Sequence, residues 1–270
     1  MKKIVLITGA SSGIGMSVAR RLLDAGAVVY AAARRTEMME PLREAGANII
    51  KMDLTDESSV SEAVDAVIGE QGRIDVLINN AGYGYFGAIE TVSLEEARRQ
   101  FDVNVFGLAR LCQLVLPYMR ENHSGRIINV ASMAGHFCEP RGGWYHATKY
   151  AVVALGDCMR MEVKPFGIKV ITIEPGAIDT PWCDIAMDNM LKSSEGTPYG
   201  PGAERQSKLF RWAYSHFATS PEVVAKRIVH GSLSSHPRIR YRCGFGSHAF
   251  KFIHDILPDR WFDALMVKLF

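Results

Sequence analysis

The 270-residue sequence predicts an α/β fold in a single domain over 1–270, a doubly wound parallel sheet of about seven strands with helices on both faces. Three observations carry this. Short apolar runs rich in β-branched residues alternate with longer helical stretches. No repeat, low-complexity segment or linker interrupts that alternation. The chain is 48% hydrophobic and long enough to bury a core without disulfides or metals.

In chain order, strands are expected at Lys3–Ile7, Ala27–Ala33, Asn48–Met52, Asp75–Asn79, Arg126–Ala131 and Ile168–Ile173, with a weaker candidate at Arg238–Arg242. Helices fill Gly13–Ala25, Asp56–Gly69, a long stretch Leu94–Arg120 and Tyr145–Val163. Ser93 and Glu96 form a capping box ahead of the long stretch. Residues 181–217 depart from the pattern, because Gly196, Pro198, Gly200, Pro201 and Gly202 lie among Trp182, Met187, Met190, Phe210 and Trp212. That mixture fits either a lid over an apolar pocket or a helical hairpin packed on the core. In the tail, 248–270, Pro258 can start a helix, and Trp261, Phe262, Leu265, Met266, Leu269 and Phe270 share one face. The stripe suits a core or subunit contact, with a weak peripheral membrane contact through this helix as the lesser reading.

Composition removes several classes of function. Thirty-one basic against twenty-nine acidic residues leave +2, so nucleic acid is not an expected partner. Apolar runs fall far short of the roughly 20 residues that span a bilayer. The opening Met-Lys-Lys has only four apolar residues before a turn signal, unlike a secretory leader. Cys112, Cys138, Cys158, Cys183 and Cys243 are scattered and contain no CxxC pair. Neither a disulfide framework nor a metal site is expected, and a cytoplasmic enzyme fits.

Thr8-Gly9-Ala10-Ser11-Ser12-Gly13-Ile14-Gly15 follows the first strand and opens a helix. Gly9 can take the tight turn, Gly13 admits a pyrophosphate close to the backbone, and Gly15 lets helix and strand approach. The helix start offers unpaired N–H groups to phosphates. The second strand ends in Ala33-Arg34-Arg35 with no acid in reach. Two guanidinium groups there favour the 2′-phosphate of NADP(H) over the bare ribose of NAD. Asp53, with Leu54 beside it, is placed after the third strand to accept from the adenine amino group.

Tyr145 and Lys149 are four apart and share a helix face. An ammonium beside a phenol favours the phenolate, so Lys149 makes Tyr145 a usable proton acceptor or donor. Ser132 ends the fifth strand, where its hydroxyl can bind the same substrate oxygen.

Taken together, TGASSGIG at 8–15, Asn79-Asn80-Ala81-Gly82, Asn104, Ser132, Tyr145, Lys149 and Pro175-Gly176-Ala177-Ile178-Asp179-Thr180 closely resemble the short-chain dehydrogenase/reductase superfamily over about residues 3–180. The resemblance implies a Rossmann-like fold with strand order 3-2-1-4-5-6-7. It also implies a set of roles. Tyr145 would be the general acid/base, and Ser132 would hold the substrate oxygen. Lys149 would bind the nicotinamide ribose, and Asn104 would anchor a relay water. Ser11, Ser12, Ile14, Asn80, Ala81, Gly82, Pro175 and Gly176 would line the cofactor cleft, while the Ile178 backbone and the Thr180 hydroxyl would fix the carboxamide. A homodimer or homotetramer through the 94–120 and 145–163 helices is implied as well.

Beyond Thr180 the resemblance weakens. The aromatic, Met-rich lid candidate, with Trp182 as a substrate contact, points to a lipophilic alcohol or ketone, steroid-like or retinoid-like. Two alternatives stay open: a non-catalytic NADPH sensor, and the same chemistry on a small polar carbonyl. Retention of both Tyr145 and Lys149 argues against the sensor. His136, His146 and Cys138 are assigned no role.

Overall fold

The computed structural model describes residues 2–270. Its sheet has seven parallel strands in the order β3-β2-β1-β4-β5-β6-β7, as the sequence predicts. The strands are β1 (Ile4–Thr8), β2 (Val28–Ala33), β3 (Asn48–Lys51), β4 (Val76–Asn79), β5 (Gly125–Val130), β6 (Ile168–Pro175) and β7 (Arg240–Cys243). Alternate side chains of β1 serve opposite faces. Val5 and Ile7 pack under helix α1 (Gly13–Asp24) and, from further along the chain, α9 (Pro221–Leu233), through Val18, Leu22, Val224 and Ile228. Ile4 and Leu6 face α3 (Glu57–Gln71), α5 (Gly107–Glu121) and α6 (Gly143–Glu162), through Val64, Leu111, Val115 and Val152. A short α2 (Glu40–Glu44) lies between β2 and β3.

The structure redraws two expected elements. The single helix over 94–120 is two, α4 (Leu94–Phe101) and α5, joined by a π-helical turn at Asp102–Phe106. Asn104 causes no break that sequence periodicity shows, yet its side chain ties this turn to a loop 21 residues earlier, accepting from the Tyr83 N–H at 3.0 Å and donating to the Tyr83 carbonyl at 2.9 Å. The last strand runs over Arg240–Cys243 rather than Arg238–Arg242, because Thr172 to Pro175 of the extended β6 pair with it there. Residues 181–217 hold a helical hairpin, α7 (Trp182–Ser194) and α8 (Gly200–Phe217), and the tail holds α10 (Ala249–Ile256) and α11 (Asp259–Leu269). Among the described residues no helix is long and apolar enough to cross a membrane.

Candidate active site

The carboxyl ends of the strands open into one cleft of about 870 Å³, where ligands of such sheets bind. Its first end is the glycine turn. Gly9 and Gly13 have φ of +68° and +53°, the left-handed region that glycine enters freely. A Cβ on Gly15 would stand 2.3 Å from the Gly9 carbonyl oxygen, so only glycine lets α1 start so close to β1. Short polar side chains hold the turn. Thr8 Oγ1 accepts from the N–H of Asn80 (3.0 Å) and of Ala81 (2.9 Å), while Asn80 Nδ2 donates to the carbonyls of Thr8 and Gly9. The first N–H groups of α1 have no partner within the helix, and Ser12 does not cap them. That leaves a preformed anion cradle, so a dinucleotide pyrophosphate fits these residues.

Most of the expected cofactor residues line the cleft: Gly9, Ser11, Ser12, Gly13, Ile14, Arg34, Arg35, Asp53, Leu54, Asn80, Ala81, Gly82, Pro175, Gly176, Ile178 and Thr180. Gly15 sits behind the turn as a spacer. Arg34 and Arg35 are exposed at the end of β2. The Asp53 carboxylate accepts from the Thr55 N–H and hydroxyl, which fixes its orientation.

Ser132, Tyr145 and Lys149 line the same cleft. Ser132 begins a short turn after β5, its hydroxyl accepting from the Ala134 N–H. Tyr145 and Lys149 come from one face of α6, with Lys149 Nζ 5.8 Å from the Tyr145 ring centre and 3.2 Å from the Val130 carbonyl it donates to. Asn104 does not line the cleft. Its Nδ2 donates to Thr148 Oγ1 at 3.1 Å, and a Cβ on Gly82 would lie 3.1 Å from its Oδ1 and 3.5 Å from Lys149 Nζ. The π turn therefore packs Asn104 behind the lysine, a common use of such turns.

The electrostatic balance differs from the expectation that Lys149 favours the phenolate. Burial pushes the Tyr145 phenol well above its ordinary value, the Ser132 hydrogen bond pulls it down less, and the Glu139 carboxylate pushes it up further. Burial also lowers Lys149 to about 8. With both groups out of water, desolvation is the largest influence on each.

The opposite end of the cleft is aromatic. Phe86 stands 5.4 Å from the Tyr145 ring, 5.9 Å from Trp182 and 6.3 Å from Phe210, centre to centre. Tyr214 stacks on both Trp182 and Phe210. Trp182 lies over Gly84, where a Cβ would meet its ring at 2.6 Å. The hairpin packs Met187 and Met190 into the core and faces the rings of Trp182, Phe210 and Tyr214 to the cleft. Sequence reasoning missed Phe86, Glu139 and Tyr214. They come from separate segments, and no local pattern marks them.

Residues 3–189 match the description of the short chain dehydrogenase family. The chain belongs to the short-chain dehydrogenase/reductase superfamily. It is 34% identical over 262 residues, 97% of this chain and 96% of the other, to a probable short-chain type dehydrogenase/reductase, VdlC, of Helicobacter pylori. It is 43% identical over 183 residues to the 3-ketodihydrosphingosine reductase of Bacteroides thetaiotaomicron, covering 67% and 66% of the two chains. Among solved structures, a short-chain dehydrogenase from Streptomyces avermitilis has a TM-score of 0.82 at 33% identity, covering 94% and 93%. A 3-ketoacyl-(acyl-carrier-protein) reductase from Brucella melitensis, complexed with NADH, has a TM-score of 0.75 at 28% identity, covering 91% and 98%. The protein is an oxidoreductase of this superfamily, whose members act on CH–OH or carbonyl groups with a nicotinamide cofactor.

Proposed function

We propose that the protein is an NADP(H)-dependent oxidoreductase that interconverts a lipophilic secondary alcohol and ketone, or alcohol and aldehyde, with Tyr145 as general acid/base. The observation that carries this is the sharing of one cleft by the glycine turn, Ser132, Tyr145, Lys149 and a wall of aromatic rings. The nicotinamide, when bound, supplies or takes up a hydride at the reacting carbon. This chain's residues do the rest. The raised Tyr145 phenol holds its proton until an alkoxide develops beside it, and the Ser132 hydroxyl donates to the same oxygen. Lys149 holds the ribose. In oxidation, Tyr145 receives the proton instead.

NADP(H) is favoured by the two guanidinium groups at the end of β2, which line the cleft without a carboxylate at that position. A lipophilic substrate is favoured by the Phe86, Trp182, Phe210 and Tyr214 wall, over which the α7–α8 hairpin would act as a lid. A homodimer or homotetramer fits Leu94, Phe106 and Met161, large apolar side chains exposed on α4, the π turn and α6. Phe252, Ile256 and Trp261, exposed on α10 and α11, leave a weak peripheral membrane contact as part of the same proposal. A cytoplasmic site of action is in keeping with five unpaired cysteines.

The test is nicotinamide absorbance during turnover of steroid, retinoid, aliphatic and sugar carbonyls with NADPH and NADH. Lipophilic carbonyls are expected to react with NADPH, and Tyr145→Phe to lose about 10³-fold in kcat while still binding cofactor. Turnover of sugars alone, or equal use of NADH and NADPH, overturns the substrate or the cofactor assignment respectively.

A further inference from the structure

The substrate end of the cleft carries two hydrogen-bond acceptors that no group of the protein satisfies. Glu139 lines the cleft with its side chain only 9% exposed, and among the described residues nothing donates a hydrogen bond to its carboxylate. His146 also lines the cleft, its side chain 2% exposed. Its Nδ1 lies 2.9 Å from the Ala134 carbonyl, and a carbonyl only accepts, so the proton sits on Nδ1. In the neutral ring Nε2 is then a bare lone pair. It is buried, has no partner, and stands 3.7 Å from Glu139 Oε1, too far for a hydrogen bond. Arg141 is a permanent cation that feels Glu139. Its guanidinium is directed to the Gln206 side chain and the Phe270 carbonyl instead.

A buried lone pair beside a carboxylate that faces the cleft calls for one group with two or more protons, and a carboxylate in a cleft lined by aromatic rings suits a cation. We propose that Glu139 and His146 form a subsite for a protonated primary amine carried by the substrate close to its reacting carbon. This rests on the reading of the protein as a reductase or dehydrogenase of lipophilic carbonyls, and narrows that class to amino ketones and amino alcohols. The subsite also acts on catalysis. The Glu139 charge helps hold the Tyr145 phenol up, so an ammonium seated between them offsets that charge and eases proton release. A hydroxyl, with a single proton, satisfies only one acceptor.

Two measurements test the subsite separately from turnover. Calorimetric titration with octylamine and octan-1-ol, cofactor present, is expected to show the amine binding at least about tenfold more tightly, and Glu139→Gln to abolish the difference. Equal binding in the wild-type protein, or a preference that survives in Glu139→Gln, overturns the proposal whether or not any carbonyl is turned over. The second measurement compares an α-amino ketone with its des-amino analogue. The wild-type enzyme should favour the amino ketone about tenfold or more in kcat/KM, and in Glu139→Gln the two ketones should be reduced with equal kcat/KM, whatever the change in the rate on the plain ketone. If neither ketone reacts although octylamine binds through Glu139, the carbonyl reading fails and the amine subsite stands.

Discussion

The two ends of the cleft are built by different means. At the glycine turn, backbone lies on backbone and is fastened by short polar side chains, Thr8 and Asn80, from neighbouring strands. At the substrate end, rings from residues 86, 145, 182, 210 and 214 lean on one another at centre distances of 5.1 to 6.5 Å. The first construction tolerates no added atom, because interiors at this density have nowhere to put it. The second can exchange one ring for another, since each contact is dispersive and individually small. A rigid cofactor end and an adaptable substrate end allow one reaction to be kept while its substrate changes.

Lys149 offers the largest test of this contrast, because it stands where the two constructions meet. Burial holds it at about 8 against an ordinary 10.5. The unfolded chain therefore keeps a proton that the folded chain releases between those values, and wild-type stability rises with pH across that window. Below about pH 8 the folded protein carries a buried cation at a cost of about 3 kcal/mol. Lys149→Met should be more stable than wild type at pH 7 by an amount of that order, with the advantage shrinking by about 1 kcal/mol between pH 8 and pH 9, and it should lose turnover. Urea unfolding at several pH values measures this. A gap that stays constant with pH would show that the lysine finds compensation elsewhere.

Gly15→Ala probes the rigid end alone. The new methyl would stand 2.3 Å from the Gly9 carbonyl oxygen and 2.6 Å from Asn80 Nδ2. Backbone has to move, at about 1–3 kcal/mol, and the phosphate cradle moves with it. Thermal unfolding and NADPH titration should both worsen, affinity by about tenfold to a hundredfold. A variant that melts lower yet binds NADPH as before would mean that the turn supports the fold without shaping the cradle.

The same contrast explains what the sequence disclosed. The glycine turn, Ser132, Tyr145 and Lys149 occupy short local patterns whose spacing is set by one turn or one helix face, and the strands stand within a residue or two of their expected places. The break at Asp102–Phe106 was invisible because a π turn adds no glycine or proline and keeps apolar residues in sequence, and its cause is a partner at Tyr83. Helix α9 was overlooked although Ser220 caps it and Pro221 opens it, a signal present in the sequence. Phe86, Glu139 and Tyr214 had no such signal. Each gains its meaning only when segments far apart in sequence meet over Tyr145.

Phe210→Ala tests the adaptable end and should have the smallest effect of the three. Its ring bridges Phe86, Tyr214 and Phe270, the last at 5.3 Å, so it joins the cleft wall to the tail helices. It is only partly buried, so the loss of stability should fall below the about 3–5 kcal/mol of a fully buried phenylalanine. Neighbouring rings can close part of the space, and the proton-transfer groups do not depend on it. Turnover of a bulky lipophilic carbonyl should then show KM raised about tenfold, equivalent to about 1.4 kcal/mol of apolar contact, with kcat and NADPH affinity nearly unchanged. If kcat falls instead, the ring holds Tyr145 in place through Phe86, and the substrate end is as rigid as the glycine turn.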